Sequence, residues 1–232
     1  MIYSTCLNFL FRRNVMLGNI LIIGDSYSTY KDLVPDGYAV YYSKEGRGDP
    51  EFMVTKMELS ETWWMRLMKE TGGALAQNNS WSGSTLCYTG YSGDCSHTSS
   101  FIYRYRKLKA DGFFEKNKID TVFVFGGTND SWANAPLGEL KCSDFTEEEL
   151  FRVLPAFCYF MKTLKEDLPS ARIVFISNCD IKAEIVEGIK TAGHYFGVET
   201  VELHDITKEH GHPNVQGMAE ICEQVLIGIK EK

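Results

Sequence analysis

The sequence predicts a three-layer α/β/α sandwich, with one parallel sheet between two layers of helices. Three observations point there. From Asn19 onward, short apolar runs alternate with amphipathic stretches, the pattern of successive β-α-β units. One run, "IDTVFVF" at Ile119–Phe125, is apolar on both faces, as a central parallel strand must be. The chain has 232 residues and 44% hydrophobic content, enough to bury a sizeable core in one α/β domain or two small ones.

The elements follow in order. Asn19–Gly24 ("NILIIG") reads as the first strand. Ser60–Glu70 ("SETWWMRLMKE") reads as a helix, with Ser60 as N-cap and Trp63, Trp64 and Leu67 on one side. Ala74–Asn78 is a weak second strand and Ile119–Phe125 a strong third. Thr146 and Glu149 form a capping-box pattern in "TEEEL". Behind it Leu150, Val153, Leu154, Phe157, Met161 and Leu164 recur at helical spacing, and Pro155 is expected to kink or divide that helix. Arg172–Ser177 is the fourth strand, Ile181–Phe196 a helix, Val198–Leu203 the fifth strand and Pro213–Lys230 the last helix. Two stretches depart from the scheme: an insertion at 31–59, and a polar, glycine-rich loop at 82–100. Long loops at strand ends are where such folds keep their sites.

Bulk properties narrow the function. A formal charge of −7 and the lack of a long Lys/Arg block argue against nucleic acid as a partner. The seven cysteines form no CxxC pair, so a zinc knuckle is not expected. Cys87 and Cys95 are near enough for a loop disulfide, but a domain this size needs none, and most cysteines are expected as small buried hydrophobes. Residues 1–18 stand apart as an N-terminal extension to a domain at 19–232. The extension's apolar part, Ile2 to Phe11, is far too short to span a membrane. Arg12 and Arg13 follow that run, where a secretory signal wants them before it, and Met16 is an alternative first residue. A cytoplasmic location is favoured, with an unusual export signal as the alternative.

The strand ends carry the chemistry. The first strand stops at Gly24-Asp25-Ser26, the second runs into "NNSWSGST" with Gly83, the third ends at "GGTND" with Asn129, and the fifth leads to "ELHDITKEHGHPN" with His212. In a parallel sheet these ends lie on one side and share a crevice. A serine, a turn glycine, an amide and an imidazole are the parts acyl transfer needs. Ser26 is the nucleophile candidate and His212 the base that activates it. The backbone N–H of Ser26, the N–H of Gly83 and the amide of Asn129 are candidate oxyanion donors. Ser28 is a poorer nucleophile candidate, lying further into the loop.

In these blocks the chain resembles the SGNH (GDSL-type) hydrolases, a family named for a serine, glycine, asparagine and histidine in four separate motifs. Here they match Ser26 in "GDSYS", Gly83 in "NNSWSGST", Asn129 in "GGTND" and His212 in "GHPN", in order and across most of the chain. The resemblance implies a flavodoxin-like, five-stranded sheet of order 2-1-3-4-5 and ester hydrolysis with neither metal nor organic cofactor. The family usually has Asp three residues before the histidine; this chain has Glu209 there. Glu209 is the first candidate to orient His212, with Asp205 or a backbone carbonyl as alternatives.

The expected function is a serine esterase that removes small acyl groups, acetyl foremost, from a carbohydrate or another polar ester. The aromatics near the four blocks, Tyr27, Tyr30, Trp81, Tyr88, Tyr91 and Trp132, have packing as their default role, but any that face the crevice offer flat surfaces to a sugar ring. The alternatives are a lysophospholipase or thioesterase of the same family, and a binding module that keeps the fold without the chemistry. An α/β-hydrolase wants G-x-S-x-G at a strand-to-helix elbow, which "GDSYS" is not. A nucleotide-binding Rossmann domain wants G-x-G-x-x-G after the first strand, and none follows. His204, Asp205, His210 and His212 are metal-ligand types, but they lack the spacing of a zinc motif.

Overall fold

Five parallel strands form the central sheet: β1 (Asn19–Gly24), β2 (Ala74–Ser80), β3 (Thr121–Gly126), β4 (Arg172–Ser177) and β5 (Glu199–Glu202), in the order β2-β1-β3-β4-β5. The structure is a computed structural model and describes residues 15–46 and 55–230. Five longer helices connect and follow the strands: α1 (Trp63–Thr71), α2 (Phe101–Ala110), α3 (Val153–Asp167), α4 (Ala183–Phe196) and α5 (Val215–Lys230). The expected three-layer sandwich and its strand order are those observed. Most of the N-terminal extension (residues 1–14) and the middle of the first insertion (47–54) lie outside the described residues.

The period-2 pattern of the strands divides the core in two. Leu21, Ile23, Val122, Val124, Ile173 and Phe175 face α2, α3 and α4. Ile20, Ile22, Phe123, Phe125, Val174 and Ile176 face α1 and α5. All six residues of β3 are buried, as its uninterrupted apolar run requires.

Several local expectations are corrected. The cap of α1 is Thr62 rather than Ser60: its Oγ1 accepts the Met65 N–H at 3.4 Å, and Ser60 belongs to a preceding 3₁₀ turn. Pro155 does not kink α3, because the helix starts at Val153 and the proline falls in its first turn, where no N–H is needed. The Thr146–Glu149 box forms reciprocally (2.8 and 3.3 Å), but it closes the turn that leads into a 3₁₀ segment, Glu149–Phe151, rather than capping α3. Pro213 sits in a short hairpin, and Asn214 caps α5 by accepting the Gly217 N–H at 3.0 Å. Cys87 and Cys95 are both buried free thiols.

Register keeps the carboxyl ends of the strands level. Gly24 pairs with Ser80 on one side and Phe125 on the other, Gly126 with Ser177, and Ser177 with Glu202. Gly24 must be glycine because the chain turns back on it: a Cβ there would lie 2.8 Å from side-chain atoms of Ser28 and Ser80. Gly24→Ala is therefore expected to destabilise the fold by ~1–3 kcal/mol in urea titration. A loss under about 0.5 kcal/mol would mean that Ser28 and Ser80 move aside freely.

Candidate active site

Asp25 shapes the turn that presents Ser26. Its Oδ1 accepts the Tyr27 N–H at 3.0 Å, and the N–H groups of Ser28 and Thr29 return to the carbonyls of Asp25 and Ser26 at 3.1 and 3.3 Å. The result is one 3₁₀ turn, Ser26–Ser28, with no helix behind it. Ser28 is locked in the core: its Oγ accepts the Trp63 indole N–H at 3.2 Å, and its carbonyl accepts the Trp64 indole and the Asn78 amide. Of the two hydroxyls, only that of Ser26 meets an imidazole.

The imidazole it meets is that of His212. It lies on a hairpin in which Glu209 pairs with His212 across His210 and Gly211. Both turn residues have positive φ, 50° and 78°, as a two-residue type I′ turn demands. Tyrosine hydroxyls pin the hairpin to the domain: Tyr27 donates to the Gly211 carbonyl at 2.6 Å and Tyr42 to the Pro213 carbonyl at 2.8 Å. His212 Nε2 then stands 2.9 Å from Ser26 Oγ, and Nδ1 stands 3.2 Å from the His210 carbonyl oxygen. A carbonyl only accepts, so the network assigns the proton to Nδ1 and leaves Nε2 free to take the serine proton.

Glu209 does not reach the imidazole, contrary to its expected role. Its Oε1 accepts the Asn214 amide N–H at 3.0 Å, and the tight turn places the His210 carbonyl at Nδ1 instead. Among the described residues no group of His, Cys, Asp and Glu side chains is arranged to hold a metal, so His204, Asp205, His210 and His212 do not assemble into such a site. Burial holds the imidazole well below its ordinary 6.5, at about 4, and the Lys208 ammonium pushes the same way. Lys208 is itself held by Asn178 and Asp180 at 3.1 and 3.0 Å, and Asn178 donates to the Tyr27 hydroxyl at 3.1 Å.

The two other blocks come together across the end of β1. Asn129 lies in a short helix, Thr128–Trp132, entered through Gly127 at φ 92°. Its Nδ2 donates to the Ser84 carbonyl at 3.0 Å, and its Oδ1 accepts the Tyr91 hydroxyl at 2.9 Å. An amide nitrogen has two hydrogens, so one remains for a ligand. Gly83, next to Ser84, has φ +80° and open space where a Cβ would point. Asp130 is structural: its carboxylate accepts the N–H groups of Leu86 and Cys87 at 2.9–3.1 Å and fixes the loop that carries Gly83.

Sequence reading missed Arg104. Its guanidinium is fully buried and donates to the carbonyl of Gly24 (3.1 Å), the hydroxyl of Ser84 (3.1 Å), the carbonyl of Ser99 (2.9 Å), and both oxygens of Asn79. It thereby ties the end of β1 to the end of β2 and to the Gly83 loop. A signal was present: in "FIYRYRKLKA", Arg104 falls at helical spacing between Phe101 and Leu108, on the apolar stripe. Asp25 is buried as well, fully enclosed like Asp130. Among the described residues its Oδ2 has no hydrogen-bond partner, and burial pushes its carboxyl up to about 7, against the opposing Tyr27 N–H.

With this geometry in view, comparisons with known proteins place the chain. Residues 18–229 match the family model of GDSL-like lipases/acylhydrolases. A protein of Bacteroides uniformis described as a GDSL-like lipase is 39% identical, covering 93% of this chain and 96% of its own, with a TM-score of 0.81. One of Bacteroides ovatus, described in the same way, is 35% identical over 93% of this chain and 99% of its own, at TM-score 0.83. An acetyl xylan esterase of Butyrivibrio proteoclasticus shares the fold at 20% identity and TM-score 0.58, covering 93% of this chain and 64% of its own. A search of curated proteins finds no match. The fold and the site define a hydrolase of the SGNH class. The chain belongs to the GDSL-like lipase/acylhydrolase family and is an ester hydrolase. Among the described residues no helix is long and apolar enough to cross a membrane.

Outcomes follow at two places, the His212 hairpin and Asp25. Because the imidazole stays neutral down to about pH 4, the acid limb of kcat/KM should fall near that value rather than near 6.5. Glu209→Gln should change kcat less than about 3-fold, since its carboxylate bonds Asn214; a loss of ~10⁴ would restore it as the orienting acid. The last outcome concerns Asp25. Its folded carboxyl keeps a proton up to about pH 7, while the unfolded one releases it near 3.8. The folded state thus binds more protons between those values, and stability falls as pH rises through that window. Asp25→Asn keeps the Oδ1 acceptor and removes this loss. Its melting temperature should exceed wild type at pH 8, by ~1–3 kcal/mol in stability, and the gap should close toward pH 4.

Proposed function

We propose that the enzyme removes small acyl groups, acetyl foremost, from a carbohydrate or similar polar ester, with Ser26 as nucleophile and His212 as base. The observation that carries this reading is the 2.9 Å contact of Ser26 Oγ with His212 Nε2, whose Nδ1 proton faces the His210 carbonyl. Nε2 takes the hydroxyl proton as Oγ attacks the ester carbonyl. The oxyanion is received by the N–H groups of Ser26 and Gly83 and by Asn129 Nδ2. Imidazolium then returns the proton to the leaving alcohol, and an acyl-serine ester remains. Water, deprotonated by the same imidazole, attacks that ester and releases the acid and the free serine.

The rim supports a sugar better than a long acyl chain. Tyr91 and Trp132 are 56% and 40% exposed, the first bonded to Asn129 and the second set edge-on to His212 at 6.0 Å. Tyr38 and Trp81 pack ring to ring at 4.3 Å, beside Gly83 in the chain. Flat rings suit pyranose faces, whereas a lipase needs a continuous aliphatic surface. The acetyl xylan esterase of similar fold is in keeping with this reading.

Hydrolysis of p-nitrophenyl acetate and of acetylated xylo-oligosaccharides tests it. Ser26→Ala and His212→Ala should each lose at least ~10³-fold in kcat, and Asn129→Ala ~10²–10³-fold. Chelator should have no effect. Faster turnover of octanoyl or palmitoyl esters than of acetyl esters would overturn the substrate assignment. Activity that survives Ser26→Ala would overturn the mechanism.

A further inference from the structure

Among the described residues no carboxylate reaches His212, yet an imidazole held at Nδ1 by one carbonyl bond of 3.2 Å is still able to swing about its side-chain torsion. Something else has to keep Nε2 on Ser26. The Tyr41 ring lies flat on the imidazole, with centroids 3.6 Å apart and planes within 9°. Tyr27 and Trp132 close two other directions, tilted or edge-on at 5.3 and 6.0 Å. We propose that Tyr41 is the positioning residue of the Ser26–His212 pair, doing by face-to-face stacking what an orienting acid does elsewhere; this rests on His212 being the base.

The backbone around Tyr41 makes the stack rigid. The Tyr41 N–H donates to Thr29 Oγ1 at 2.9 Å, and that hydroxyl donates to the Ser26 carbonyl at 3.0 Å. One residue on, Tyr42 donates its hydroxyl to the Pro213 carbonyl, next to His212. Residues 41 and 42 thus hold the nucleophile's turn and the base's hairpin in one frame. The insertion after β1 supplies part of the catalytic geometry, beyond any part it has in a substrate rim.

The stack has two physical effects. Swinging the imidazole out of its plane would drive its edge into the tyrosine face, so rotation is blocked where the single hydrogen bond does not block it. When the imidazole becomes imidazolium, it does so against the negative face of an aromatic ring, which favours the cation. The charged and titratable groups around the imidazole are few. Lys208 lies beyond the Tyr27 ring, 5.8 Å from its centroid, and is paired with Asp180. Glu209 on the same hairpin is turned to Asn214, His210 meets the imidazole through its carbonyl, and Ser26, Tyr27 and Tyr41 lie against the ring.

The test compares Tyr41→Phe, Tyr41→Leu and Tyr41→Ala on p-nitrophenyl acetate across pH 4–8, with Ser26→Ala as control and thermal melts to establish folding. Tyr41→Phe should keep kcat within about 3-fold. Tyr41→Leu, which covers the ring without a π face, should lose ~10-fold, and Tyr41→Ala ~10²-fold, with KM within about 3-fold in each. Tyr41→Ala removes both a π face that favours the cation and a cover that disfavours it; burial is the larger effect on this imidazole, so the acid limb should move up toward 6.5 as water reaches it, while in Tyr41→Phe it should stay in place. If the alanine variant does not fold, the leucine and phenylalanine pair decides the matter alone. Unchanged kcat in Tyr41→Leu and Tyr41→Ala, a rise confined to KM, or a phenylalanine variant as slow as alanine would each overturn the positioning role. Wild-type hydrolysis that does not depend on Ser26 would instead overturn the mechanism on which the inference rests, and the control separates the two.

Discussion

A guanidinium with no access to solvent holds the active end of this molecule together. Arg104 reaches through the layer of α2 and donates to the last carbonyl of β1, to Asn79 at the end of β2, and to Ser84 beside Gly83. Burying an arginine without a carboxylate in contact is costly unless its donors are satisfied, and here acceptors surround it. Burial brings its basicity down to about 10, which still leaves it fully charged at neutral pH. The Phe101 ring, 4.6 Å away, gives it a π face as well. The arginine therefore fixes the spacing between the strand end that carries Ser26 and the loop that carries Gly83. Asn129 adds a second tie to the same loop through the Ser84 carbonyl, and Asp130 a third through Leu86 and Cys87. An oxyanion hole depends on donors that do not move when charge develops, and the donor set proposed here is braced from three sides.

The imidazole proposed as the base is tuned in the opposite sense from a triad histidine. A carboxylate at Nδ1 would raise the basicity of the imidazole and stabilise its cation. Here a neutral carbonyl occupies that place, burial and Lys208 both disfavour the cation, and the imidazole is a weak base that is nearly always free of a proton. Weak basicity costs driving force in the attack step. It is offset by readiness, since almost every enzyme molecule at neutral pH has Nε2 unprotonated and 2.9 Å from the hydroxyl. Pre-orientation thus carries more of the work than proton affinity, and the aromatic enclosure around His212 is consistent with that division.

The fold and the four motif residues were legible in the sequence for distinct reasons. Strand periodicity is local, so the runs at 19–24, 119–125 and 172–177 announced themselves, and strand order came with the family resemblance. Ser26, Gly83, Asn129 and His212 were legible because each follows a strand end closely in sequence or matches a family block. Glu209 was misread because the usual spacing of an acid before the histidine presumes a loop that leads the acid back to Nδ1. In this chain "EHGH" is a two-residue turn, and positive φ at His210 and Gly211 puts a peptide carbonyl there instead. Arg104 and Tyr41 were not read because their roles are set by contacts beyond any local pattern: Ser84, Asn79 and Gly24, 20 to 80 residues from Arg104, and His212 near the far end of the chain from Tyr41. Arg104 alone carried a hint, a charge on the buried stripe of its helix.

Why the insertion after β1 lies where it does follows from the same geometry. In this sheet the serine and the histidine arrive from the end of the first strand and from the hairpin before the last helix, separated here by 186 residues of chain. Strand pairing sets the heights of their strands but leaves the hairpin at 208–213 free, because it projects past the sheet and pairs only with itself. Its only means of fixing the histidine is contact with some other element. Tyr27, in the serine's own turn, reaches the Gly211 carbonyl; Tyr42, in the insertion, reaches the Pro213 carbonyl; Tyr41 covers the ring between them. All three act from segments attached to β1, so His212 is indexed to Ser26 rather than to its own end of the chain. A displacement of β5 or α5 would therefore strain these tyrosine contacts before it opened the 2.9 Å gap on which proton transfer depends.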